Sequence, residues 1–315
     1  MPSALNSSPA PTRPSSPAIL AARAKVSELV TTSPFFRQQV SYFDGYSDLF
    51  LAYLVALYGP AELALELADA SAIAMAAGEI PVSEDAGWYG SVRALALSIQ
   101  GTNLDEAVRV ACVQLETDPE DATARFGLAI GLAKQMRLEE ARAQFDWLVA
   151  TQEPESESDF FMLYSPMLFY AGKTYRLLAY SRLEQQAPYN EIADLCSRAL
   201  SLVSGNSKMD LLRIMAMHDE EAKFASDIWG RAAYAEAMRV GSTEGALSVL
   251  RAAESRIPLP SPAIIFGLAE LNIDRARRTG DPRAAQEART YIQQARTTGD
   301  FLDWKLDEML ASLPC

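Results

Sequence analysis

Asn103-Leu-Asp-Glu-Ala107 and Arg137-Leu-Glu-Glu-Ala141 repeat the same pattern 34 residues apart, and each opens an apolar run with helical spacing. A period of this length belongs to stacked helix hairpins, in which one pair cannot bury its own apolar face and must pack on neighbours. The expectation is therefore an all-α solenoid of antiparallel helix pairs. Arrays of this kind mostly hold other molecules, so the period points to binding before catalysis.

The rest of the chain agrees with that reading. Ser16-Pro17, Ser33-Pro34, Ser165-Pro166 and Ser261-Pro262 each precede an apolar run. Serine is a good N-cap acceptor, and proline fits the first helical position, where its missing N–H has no partner to lose. Breaks at Gly59-Pro60, Asp118-Pro119, Gly205-Asn206, Gly241-Ser242, Pro258 to Pro260 and Gly280-Asp-Pro282 punctuate the chain at helical intervals, and no segment alternates like a strand. The expected helices number about 14 or 15, with separate ones near 207–217 and 219–240. Residues 1–15 are Ser, Pro and Ala with a single charge, Arg13, and read as a disordered tail, leaving 16–315 to the solenoid. The acidic turn at 153–159 is a possible subdivision.

Composition narrows the function. At 49% hydrophobic and 22% charged, the 315 residues have ample material for a core. The formal charge of −13 repels a phosphate backbone, so no nucleic-acid partner is expected. The one basic cluster, Asp274-Arg-Ala-Arg-Arg278, reads as a helix C-terminus. Leu49 to Tyr58 is the longest strongly apolar stretch and is halted by Gly59-Pro60, short of the roughly 20 residues a membrane span needs. Three scattered cysteines point to a reducing compartment, with Cys112 and Cys196 as small core fillers. A cytoplasmic location is expected; the alternative is an organelle, since no acid precedes Glu28.

Residues 122–155 resemble the tetratricopeptide repeat family. Leu128 and Ala129 fall at its Leu-then-small pair on a first helix, and Ala141 and Phe145 at its small and aromatic places on a second. Residues 88–121 match less fully, and Thr243-Glu-Gly-Ala246 with Leu250 and Ala253, then Ala288, Ile292 and Ala295, repeat the second-helix spacing. The resemblance implies a concave groove lined by first helices. Carried over, its positions are Thr123, Phe126, Ile130, Ala133 and Lys134 in one unit and Tyr89, Val92, Ala96, Ile99 and Gln100 in the other. This groove reads apolar, and Phe126 and Ile130 are its expected central contacts, for an amphipathic helix or hydrophobic peptide.

Catalytic chemistry finds little footing. The single histidine, His218, lies ahead of an acid-rich stretch and reads as a surface or capping residue. Asp105-Glu106, Glu139-Glu140 and Glu220-Glu221 read as first-turn acids that suit a helix N-terminus. No phosphate loop or nucleophile elbow is present, and no metal or cofactor is expected. The resulting expectation is a non-enzymatic adaptor or scaffold for a protein or peptide partner, alone or as a homo- or hetero-oligomer. A small-ligand sensory module is the alternative, and a helical enzyme using carboxylates comes third.

Overall fold

A computed structural model describes residues 17–33, 36–37, 47–79, 87–152, 164–204, 212–298 and 303–313. The tail at 1–15, the acidic turn at 153–159, the break at Gly205-Asn206 and Cys315 lie outside the described residues.

Among the described residues there are fourteen α-helices and no strand. They are α1 (Pro17–Thr32), α2 (Asp48–Tyr58), α3 (Ala61–Ala76), α4 (Tyr89–Gln100), α5 (Leu104–Thr117), α6 (Ala122–Lys134), α7 (Leu138–Thr151), α8 (Ser165–Glu184), α9 (Tyr189–Ser204), α10 (Leu212–Arg239), α11 (Thr243–Glu254), α12 (Pro262–Thr279), α13 (Pro282–Thr298) and α14 (Asp303–Ala311). Neighbours in sequence pack as pairs, and alternate helices stack, α2 on α4, α4 on α6 and α10 on α12. The fold is an all-α helical-repeat solenoid. The chain divides into two compact units, 1–167 and 168–315, so the division falls in the first turn of α8.

The two echoes start two second helices at the same register. Asn103 caps α5, its side chain accepting the Glu106 N–H at 3.3 Å, and Ala107 is buried. Arg137 holds the same place before α7 but makes no side-chain cap; it instead clasps Glu140, while Ala141 is buried. Small residues at Ala107 and Ala141 let the helices of each pair approach, and a cluster of Ala94, Ala111, Leu128, Leu132 and Ala141 ties α4 through α7 together.

Backbones approach closely where α4 crosses α6. A methyl group built on Gly127 would sit 2.8 Å from the Leu95 backbone nitrogen, and one on Gly131 would sit 3.1 Å from Ser98 Oγ. Ser98 donates to the Gly127 carbonyl at 2.6 Å, so the near-touching backbones also share a buried hydrogen bond. Because neighbours cover both its faces, α6 is apolar almost all round.

In the second unit, Ser242 caps α11, and Ala246, Leu250 and Ala253 form its buried stripe. Ala288, Ile292 and Ala295 of α13 pack against Ile265, Ala269 and Ile273 of α12, with Leu306 and Met309 of α14 closing the cluster. The arginine-rich end of α12 is a C-terminus, as its sequence suggests: Arg275 meets Glu244 and Asp281, and Arg278 meets Asp274.

Several expectations need correction, among them the reading of Glu220-Glu221 as first-turn acids, since both lie mid-helix. The helices expected near 207–217 and 219–240 are one uninterrupted helix, α10, over 212–239. His218 therefore lies within a helix and is buried, at 4% exposure, rather than on the surface. Cys112 is exposed on α5 instead of filling the core, whereas Cys196 is buried and burial pushes its thiol up to about 12. Ser261 stands at the N-cap of α12, but its hydroxyl makes no cap hydrogen bond.

Candidate interaction furrow

The groove positions do not form one exposed surface. Val92, Phe126 and Ile130 are core residues, at 0%, 0% and 1% exposure, and Phe126 packs edge to face on Phe145 of α7 at 6.2 Å between ring centres. Thr123 and Ala96 are buried with them. Lys134 is exposed, yet its ammonium donates to the Ile99 carbonyl at 2.5 Å and so closes the C-terminal end of α4. As exposed contacts for a partner, Val92, Phe126 and Ile130 are thus corrected. The apolar stripe is real, but it faces neighbouring helices.

Tyr89, by contrast, borders an open cleft. This furrow of about 390 Å³ runs between the second helices of consecutive pairs, α3 and α5, with the start of α4 as its floor. Ala72 and Ile73 supply one wall, and Val110 and Val113 the other. Ile73 is 68% exposed and Val113 51%, so two β-branched side chains stand in water on opposite walls.

The polar groups of the furrow are held in place by one another. The Tyr89 hydroxyl donates to Asp69 at 2.6 Å, and burial together with that bond pushes it up to about 12. Arg93 reaches Glu106 at 3.0 Å and Asp69 at 3.5 Å, while Arg109 grips Glu106 in a fork of 2.7 and 2.8 Å. The two guanidiniums, Arg109 first, hold the Glu106 carboxyl down at about 2. Gln114 bonds the Gly87 carbonyl at 3.1 Å and Asp121 at 3.2 Å, and a methyl group on Gly90 would meet the Gln114 amide oxygen at 2.7 Å. Each charge in the furrow thus has an opposite partner, and its exposed surface is mainly apolar.

Position along the helix explains why sequence reasoning missed Ile73 and Val113. Ala107 and Ala111 mark the buried stripe of α5; Val110 and Val113, three apart, lie off it. Val110 flanks that stripe and packs partly against the same core, so the available signal was Val113, an apolar residue on the far side of the helix.

The second unit carries a different face. Arg176 of α8 is ion-paired with Glu221 of α10 and lies 5.3 Å over the Phe224 ring. Phe224 and Tyr180 are both nearly half exposed. A smaller cleft of about 290 Å³ lies between the α8–α9 turn and α10, bordered by Leu183, Ile192 and Ala232.

Among the described residues no group of three or more His, Cys, Asp or Glu is arranged to hold a metal ion. None of the described helices is long and apolar enough to cross a membrane. No protein-family model matches the chain, and no curated protein is significantly similar to it.

Proposed function

We propose that this chain is a non-enzymatic scaffold of tetratricopeptide-like helix pairs that seats one short amphipathic helix of a partner protein in the furrow between α3 and α5. The observation that carries the reading is the pair Ile73 and Val113, exposed on facing walls of a cleft whose charges are already paired. A side chain with hydrocarbon inserted between them removes apolar surface from water on both walls at once, a gain of roughly 25 cal/mol per Å². The paired arginines and acids lose little on contact, because each keeps its partner.

The open shape of the furrow supports a helix over a small molecule. A pocket for a small ligand encloses most of that ligand's surface, whereas this furrow is open along one side. Helix-in-groove recognition needs only a row of apolar anchors spaced one turn apart, which an open trough between two helices accepts.

The test uses a displayed library of peptides of about 15 residues, patterned as amphipathic helices. Peptides selected on the full chain are then measured against Ile73→Asp/Val113→Asp. The expected result is at least about tenfold weaker binding by the variant, or 1.4 kcal/mol, with its helical circular dichroism unchanged. Equal binding to both proteins, or no enrichment over an empty surface, overturns the reading.

A further inference from the structure

Among the buried polar groups of the second unit is its histidine. His218 sits in α10 with its ring against Phe169 of α8, 5.5 Å between centres and tilted by 56°, and is almost wholly buried. Its Nδ1 lies 3.2 Å from the Val203 carbonyl near the end of α9. A carbonyl can only accept, so Nδ1 carries the hydrogen and Nε2 is a bare lone pair in the neutral ring. Nε2 is buried and, among the described residues, has no hydrogen-bond partner.

We propose that His218 is a proton-operated latch, which when neutral fastens α10 to the end of α9 and when doubly protonated leaves its slot and loosens α10 from α8 and α9. The second proton would have to sit on Nε2, where no acceptor meets it, so charging the ring in place leaves a buried cationic donor unsatisfied. Moving outward to water removes that penalty. Glu221, one turn on, would be carried along, and its buried pair with Arg176 of α8 would be strained in the same movement.

The charges around the ring do not hold the second proton in place. From α8, Lys173 lies 5.9 Å from the same Phe169 ring and Arg176 is committed to Glu221. From α9 the contact is the Val203 carbonyl, already used by Nδ1. On α10 itself, Asp219 and Glu221 favour the charged ring, but burial outweighs them and moves the imidazole below its ordinary value. A lowered histidine contributes stability that is complete above about pH 6.5 and is lost as pH falls through the lowered value.

Because the chain has one histidine, the latch can be read without ambiguity. Hydrogen exchange of residues 195–203 and 218–228 in the full protein, corrected for intrinsic rates, is compared at about pH 7.5 and about pH 5, where carboxylates of ordinary value stay ionised. Opening of both segments is expected to rise severalfold at the lower pH in the wild-type protein and to stay flat in His218→Gln. Glutamine keeps a donor for Val203 but cannot take the second proton. An unchanged wild-type protein, or an equal rise in the glutamine variant, overturns the latch. Should that variant not fold, the imidazole resonance of the wild-type protein decides. A titration coincident with the exchange rise supports the latch; a ring that titrates without the rise, or does not titrate down to about pH 5, overturns it.

Discussion

Two stacks of first helices, one in each unit, are held together by opposite means. Where α4 crosses α6, the contact is made by small groups: Gly127 against the backbone at Ala94 and Leu95, Gly131 against Ser98, and one hydrogen bond to a carbonyl. Where α8 meets α10, it is made by large polar groups, the Arg176–Glu221 pair and His218 against Phe169, with Phe224 beside them. Close backbone approach gains dispersion and has nothing to titrate. A buried ionic and imidazole contact ties the same architecture to protonation and to each partner's presence. One helix-pair plan thus supports a steric seam at one stack and an electrostatic seam at another.

The largest expected effect falls on the electrostatic seam. Arg176→Met strands the Glu221 carboxylate in a buried site and should destabilise the second unit by about 3–5 kcal/mol, measured by urea unfolding with exchange read over α8 and α10. Adding Glu221→Leu should recover most of that loss; failure to recover would mean that the pair contributes shape rather than charge balance. Next comes the steric seam: Gly127→Ala drives a methyl group into the Leu95 backbone and should cost about 1–3 kcal/mol in the first unit alone. A neutral result would show that α4 and α6 can slide apart freely.

Capping effects are smaller. Asn103→Ala removes the acceptor for the Glu106 N–H and should cost about 1 kcal/mol, whereas Arg137→Ala, at the corresponding place without a cap bond, should cost less. Smallest in stability is Ile73→Asp, within about 0.5 kcal/mol by the same unfolding assay, because the side chain is already in water. The pH response sharpens the contrast. Glu106 is held near 2, so the furrow keeps its charges from about pH 7.5 to 5, and peptide affinity there should be flat while the second unit loosens.

Much of this architecture could be read in the sequence where local chemistry decides. The echoes at Asn103 and Arg137 marked two helix starts because caps and first-turn acids act within four residues. The join inside α10 was misread for the same reason. His-Asp-Glu-Glu at 218–221 has the composition of a helix start, but Glu221 is there for Arg176, 45 residues earlier. Phe126 and Ile130 show the other limit. A helix that is apolar all round carries no mark of which side meets water, so the stripe could not distinguish a groove from a core. Tyr89 reached the open furrow because it stands at the first residue of α4, where the α3 and α5 walls leave room.

Photo-cross-linking of a selected peptide tests the binding account most directly. A benzophenone side chain is placed at Ile73, at Val113 or, as an exposed control in the second unit, at Trp304. The account predicts that the peptide is captured from Ile73 and Val113, joined through its apolar face, and not from Trp304. Capture from Trp304 alone, or equally from all three, would contradict it.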